Sequence, residues 1–209
     1  LPLADGSDMM GSLRTPAAFQ SLVGFRPTPD AVPVPTEMDP MELGLVSIGP
    51  IARSVADATA LFLTVSGQAL VLPSDLTPTS PLSTIRIGWL GDAGGYWPTD
   101  EGILTDCENG LSRLASVGAS VDLCNTLPAM EALWQCWTTL RHHALSPGKA
   151  LYDSPAKRAL MGANWQWEIS QGLLLNPSAI ADARAKRVVW HKTLSMLFSQ
   201  YDVIAAPTC

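Results

Sequence analysis

Asp5-Gly6-Ser7-Asp8-Met9-Met10-Gly11-Ser12-Leu13-Arg14-Thr15-Pro16-Ala17-Ala18-Phe19 stands almost at the start of the chain, and its reading decides the rest. It is a compact polar turn that places Ser12 directly before a helical signal over Pro16–Leu22. Pro16 suits a first helical position, where its missing N–H is no loss. Successive backbone N–H groups at such a turn converge on an anion. A hydroxyl beside those donors suits acyl transfer, because attack on a carbonyl builds an oxyanion that preorganised donors stabilise. Spacing alone leaves a plainer alternative open, an ordinary Gly/Ser turn with Ser12 near a helix cap.

Working outward, Val23-Gly24-Phe25-Arg26-Pro27-Thr28 reads as a short strand stopped by proline, and five prolines from Pro27 to Pro40 imply an extended surface connection. The pattern turns helical at Ser54. Ile51, Val55, Ala58, Phe62 and Val65 recur at steps of three and four, Ser54 with Asp57 resembles a capping box, and Gly67 is a stop. Residues 71–83 read as a linker. Beyond it the spacing predicts a strand over Thr84–Leu90, a helix over Thr99–Ser116 capped by Thr99 and ended by Gly118, and a strand over Ala119–Cys124. Helices are expected over Met130–Ala144, Lys157–Gln171 and from Asn176-Pro177 to about Gln200, then a strand over Asp202–Ala206. Alternating strands and helices give an α/β class with no internal repeat and no convincing domain boundary.

Three segments, in order, resemble the amidase signature family. Gly6, Ser7, Asp8, Gly11, Ser12, Leu13, Arg14, Pro16 and Ala17 fit its core, Gly-(Ser/Thr)-Asp-x-Gly-Gly-Ser-(Ile/Leu)-Arg-x-Pro-Ala. The resemblance continues in Val23-Gly24-Phe25-Arg26-Pro27-Thr28 and resumes in Gly49-Pro50-Ile51-Ala52-Arg53-Ser54-Val55-Ala56-Asp57, similar to Gly-Pro-(Met/Leu)-Ala-Arg-(Ser/Thr)-Val-x-Asp. Residues 84–209 match only in style.

The resemblance implies an amidase-type α/β/α sandwich with a mixed central sheet, only part of it present. Residues 1–209 are then a partial amidase domain, with the signature segment at 1–57, a remainder at 58–209, and both ends truncated. It further implies a Ser–cis-Ser–Lys amide hydrolase in which Ser12 is the acylated nucleophile. Backbone N–H groups of Met9, Met10 and Gly11, with that of Ser12, form the oxyanion hole. Ser7 supports the bridging cis-Ser, and Asp8 and Arg14 hold the loop. The cis-Ser and base Lys lie upstream of the nucleophile in this family. Lys149, Lys157, Lys186 and Lys192 all lie downstream of Ser12, so none takes the base role. Met10 stands where the family has Gly; a left-handed φ there would strain it by roughly 1–3 kcal/mol, so a permitted backbone angle is expected. Expected partners are a small-molecule amide and the upstream part supplying cis-Ser and Lys, with a homodimer as an open assembly state. No metal or organic cofactor is called for.

Composition supports an ordered chain. Of 209 residues, 47% are hydrophobic and 15% charged, which excludes a disordered segment. The net charge of −6 with no Lys/Arg cluster disfavours nucleic acid, and the most apolar stretch, Ala58–Pro73, falls short of the ~20 residues of a membrane span. Cys107, Cys124, Cys136 and Cys209 are irregularly spaced, which suits reduced thiols in a cytoplasmic protein. Other sites are weaker. A Ser-His-Asp triad using His142, His143 or His191 lacks the Gly-x-Ser-x-Gly elbow, so these are read as surface or packing histidines. Cys136, His142 and His143 fit no common metal spacing. Trp134, Trp137, Trp165 and Trp167 read as core or half-buried packing, while Met9 and Met10 hint at an adaptable apolar pocket floor. Two alternatives to a stand-alone amidase remain: the glutaminase subunit of a tRNA-dependent amidotransferase, and an inactive amidase-like binding protein.

Overall fold

The computed structural model describes residues 2–33, 45–68, 81–124, 127 and 129–208. Much of the extended connection expected up to Pro40 and of the linker expected over 71–83 lies outside them. The chain divides into two compact units, residues 1–79 with 208–209, and residues 80–207. The division falls inside the stretch read as a linker, although the sequence offered no convincing boundary.

The first unit is built on an antiparallel sheet in the order β1-β3-β2, with β1 Leu3–Asp8, β2 Val23–Gly24 and β3 Ser47–Ala52. Neither β1 nor β3 was expected, because Gly6, Gly49 and Pro50 are poor strand formers. Packing overrides that preference. Leu13 is fully buried, and its side chain lies over Gly6 and Gly49, where an added Cβ would sit 3.2 and 3.1 Å from its methyl groups. Helix α1 spans Arg14–Phe19, not Pro16–Leu22. Its winding begins earlier, with the Thr15 N–H donating to Gly11 O at 2.7 Å, and Pro16 sits in the first turn, where no helical donor is lost. The strand expected over 23–28 shortens to two residues, after which Phe25 turns its ring edge to Phe62 at 5.3 Å between centroids. Helix α2, Val55–Val65, has the expected cap: Ser54 Oγ accepts from the Asp57 N–H at 3.1 Å and donates to its carboxylate at 2.7 Å.

The second unit is built on a parallel sheet in the order β5-β4-β6: β4 Arg86–Trp89, β5 Ser120–Leu123 and β6 Val203–Ala205. Helix α3, Ile103–Ser116, makes the crossover from β4 to β5. It starts after Gly102, not at Thr99, because the left-handed φ of +87° at Gly102 lies outside helical geometry. Helix α4 spans Met130–Leu145. The single helix expected over 157–171 is instead a short turn at Pro155–Arg158 and helix α5 at Ala163–Leu173; extended backbone at Gly162 separates them. Helix α6, Pro177–Gln200, has Asn176 as its side-chain cap, with Oδ1 accepting from the Ala179 N–H at 2.8 Å. Leu90, Cys124 and Leu197 form a buried cluster, against which Trp97, Leu127, Leu194, Tyr201 and Ile204 pack. Arg86 pins β6 to β4 through two side-chain hydrogen bonds to Asp202, at 3.1 and 3.0 Å.

The four tryptophans read as core or half-buried packing are half-buried, and none is in the core. Trp134, Trp137, Trp165 and Trp167 are 40–56% exposed, whereas Trp89 is buried and Trp97 flanks the core. On α4 Met130 and Cys136 are buried, and Trp134 and Trp137, further along the helix from Met130, stack with centroids 5.2 Å apart. Both sheets with their helices make the class α/β, with antiparallel and parallel pairing in the same chain. Among the described residues, no helix is long and apolar enough to cross a membrane.

Candidate active site

Ser12 lies in the turn between the end of β1 and the start of α1, and it is exposed. Its neighbours on both sides, Gly11 and Leu13, are buried, so the backbone is anchored while the hydroxyl faces outward. The anchor is Asp8, the last residue of β1 and fully buried. Its Oδ1 accepts the Gly11 N–H at 2.7 Å, and its Oδ2 accepts the N–H groups of Leu13 and Arg14 at 3.3 and 3.4 Å. Arg14 closes over the same carboxylate, with Nε 2.9 Å from Oδ2 and Nη2 3.0 Å from Oδ1. Arg26 adds a third layer. Its Nε lies 3.5 Å from Oδ1 and donates to the Asp8 carbonyl at 3.2 Å, and its Nη2 donates to Leu45 O at 2.8 Å.

Burial of Asp8 works to raise its pKa, but the Arg14 hydrogen bonds, the Gly11 N–H, the Arg14 charge and the Leu13 N–H outweigh it. The carboxyl is lowered from 3.8 to about 2. Backbone N–H groups of this turn converge on an anion, the side chain of Asp8. The Gly11 N–H, expected in the oxyanion hole, donates to Asp8 at 2.7 Å. Helix α1 has only six residues, so its dipole adds little for an external anion.

Met10 has no left-handed φ, as expected for a side chain in that place. The positive φ falls on Gly11, at +109°, where an added Cβ would also lie 2.8 Å from Thr15 Oγ1. Gly11→Ala is therefore expected to lower stability by about 1–3 kcal/mol and to displace Ser12. Thermal denaturation of the variant beside its amide turnover checks this; a wild-type melting temperature with wild-type turnover would refute it.

Ser7, one residue before Asp8, is exposed on β1. Two contributors to this site went unassigned in the sequence. Arg26 lay inside the second motif, and its only signal was membership. Ser47 lies two residues before Gly49 and is the register partner of Asp8 across the β1–β3 ladder. It is 2% exposed, and its Oγ has no hydrogen-bond partner among the described residues. An unmet buried hydroxyl costs about 1–3 kcal/mol.

A family model described as Amidase matches residues 1–209. The chain belongs to the amidase family. It is 26% identical over 246 residues to the A-type subunit of a glutamyl-tRNA(Gln) amidotransferase from Symbiobacterium thermophilum, with 99% of this chain and 48% of that protein aligned. It is 28% identical over 140 residues to an amidase from Gibberella moniliformis, covering 61% of this chain and 26% of that one. Its fold matches the crystal structure of a bacterial aryl acylamidase of the amidase signature family at TM-score 0.76 and 22% identity, over 100% of this chain and 46% of the other. The chain thus spans less than half the length of each of these three proteins.

Of the three histidines, His142 is engaged in packing and His191 is exposed. His142 is not a surface residue: its Nδ1 lies 2.7 Å from Glu168 Oε2 and its ring stands edge-on to Trp167, with centroids 5.0 Å apart. Arg141 Nε holds the other oxygen of Glu168 at 2.5 Å. Cys136 is buried and donates to the Ala183 carbonyl at 3.1 Å. Among the described residues, no group of three His, Cys, Asp or Glu side chains is arranged to hold a metal ion.

Proposed function

We propose that this chain carries the nucleophile of a carboxamide hydrolase that works through an acyl-enzyme on Ser12. The observation that carries the reading is an exposed Ser12 between buried Gly11 and Leu13, on a loop fixed by the buried Asp8 carboxylate, in a chain of the amidase family. The Ser12 Oγ attacks the amide carbon and its proton passes to a base. The carbonyl oxygen becomes an oxyanion and then re-forms the double bond as the C–N bond breaks and the amine leaves protonated. Water hydrolyses the ester and regenerates Ser12. The backbone of Met9, Met10 and Gly11, with Ser12, is the proposed oxyanion hole; the Gly11 N–H serves there only by leaving Asp8. Asp8 and Arg14 hold the loop, and Ser7 supports the cis-Ser.

The base belongs to the same proposal. A Lys accepts the Ser12 proton only when neutral, which requires burial or a neighbouring cation to depress its pKa. A cis-Ser and such a Lys are assigned to the part of the full-length protein that precedes Leu1, as in the family resemblance. The free thiols of Cys107, Cys124 and Cys136 suit a reducing compartment, and a cytoplasmic location is part of this reading.

The relative from Symbiobacterium thermophilum favours a second reading, a glutaminase that passes ammonia to a partner protein. Full-length protein assayed alone on a panel of simple amides and glutamine separates the two. A stand-alone amidase releases ammonia or amine from several simple amides unaided. Turnover confined to glutamine, and only with partner proteins present, selects the second reading.

A further inference from the structure

We infer that Ser47 is a positioning residue for the nucleophile loop, supplying Asp8 with a replacement donor when the Gly11 N–H turns toward the substrate. This rests on the Ser12 acyl-enzyme reading above. Asp8 and Ser47 are register partners in the β1–β3 ladder, so their side chains leave the same face of the sheet, with Cβ atoms roughly 5 Å apart. Both are buried under the loop that Leu13 seals. Asp8 Oδ1 draws its shortest hydrogen bond from the Gly11 N–H, at 2.7 Å. Ser47 Oγ, in contrast, meets no partner among the described residues.

The two facts fit one event. A fully buried carboxylate does not give up a donor without compensation. If the Gly11 N–H swings out to an oxyanion, Asp8 Oδ1 is left short of one donor. A hydroxyl rotates about one bond and needs no backbone movement to fill that place. Arg14 and Arg26 are already committed to the same carboxylate and to the Asp8 and Leu45 carbonyls. Among the described residues, Ser47 is the buried donor still unspent beside it. The orphan hydroxyl is thus a reserve, idle in the resting loop and used while negative charge develops on the substrate.

The test uses the full-length protein carrying Ser47→Ala and Ser47→Thr, with Ser12→Ala as control, and reads melting temperature, kcat, KM and the rate of Ser12 phosphonylation by a fluorophosphonate. Removing an unpaired buried hydroxyl leaves stability unchanged or raises it. Ser47→Ala is therefore expected to keep the wild-type melting temperature or better, keep KM, and lose roughly 10- to 100-fold in kcat and labelling rate, the scale of one charge-assisted hydrogen bond. Ser47→Thr, which keeps the hydroxyl, recovers most of that loss. Wild-type kcat in Ser47→Ala overturns the inference, as does equal loss in the Ala and Thr variants, which marks a packing role. Turnover surviving in Ser12→Ala sinks the acyl-enzyme reading itself, so the two failures are told apart.

Discussion

Ser12→Ala in the full-length protein is expected to lower amide turnover by roughly 10³- to 10⁶-fold while leaving the fold intact. The size follows from loss of the nucleophile, which removes the covalent route, so that only binding and oxyanion stabilisation assist attack by water. The fold is spared because the Ser12 side chain is exposed, whereas the loop is held by its neighbours: Leu13 buried on Gly6 and Gly49, and the N–H groups of Gly11, Leu13 and Arg14 on Asp8. Steady-state kinetics on the best amide substrate, with circular dichroism as the folding control, measures it. Turnover within tenfold of wild type would mean that another group attacks the carbonyl.

The second large effect falls on stability. Asp8→Asn removes the charge that Arg14 and Arg26 enclose and replaces an acceptor oxygen by an amide that cannot take the same N–H groups. Losing charge-assisted hydrogen bonds to a buried carboxylate while its cations stay partly solvated typically costs about 1.5–3 kcal/mol, and denaturant midpoints report it. The sign of the pH dependence follows from the same contacts. The Asp8 carboxyl is lowered from 3.8 to about 2 on folding, so its contribution is complete above pH ~4 and is lost as the pH falls toward 2. That interval corresponds to about 2 kcal/mol in the wild type. Asp8→Asn removes this contribution, so the variant's acid transition is shallower across that window. A variant as stable as wild type at pH 7 would contradict the central place given to this carboxylate.

The order of elements from α2 onward was largely legible, because periodicity and caps such as Ser54, Gly118 and Asn176 act locally. The sheet of the first unit was not. Its strands contain Gly6, Gly49 and Pro50, which local preference rejects; the two glycines leave room for Leu13 to lie against the ladder. The break at Gly162 was missed for a related reason, since one glycine in a periodic stretch does not announce extended backbone. At the site, the motif pointed to the loop and to Asp8 as its holder. It did not show that Asp8 consumes the Gly11 N–H, because a motif records which residues are present, not which donor is already paired. Ser47 was silent for the same reason: its meaning comes from standing opposite Asp8 across strands separated by some forty residues.

The most direct test of Ser12 as the acylated group is labelling of the full-length protein with a fluorophosphonate, followed by digestion and mass mapping. The expected result is one stoichiometric adduct on the peptide containing Ser12, its formation blocked by amide substrate and absent from Ser12→Ala. A folded, active protein that carries no adduct, or carries it on a different residue, would contradict the acyl-enzyme mechanism.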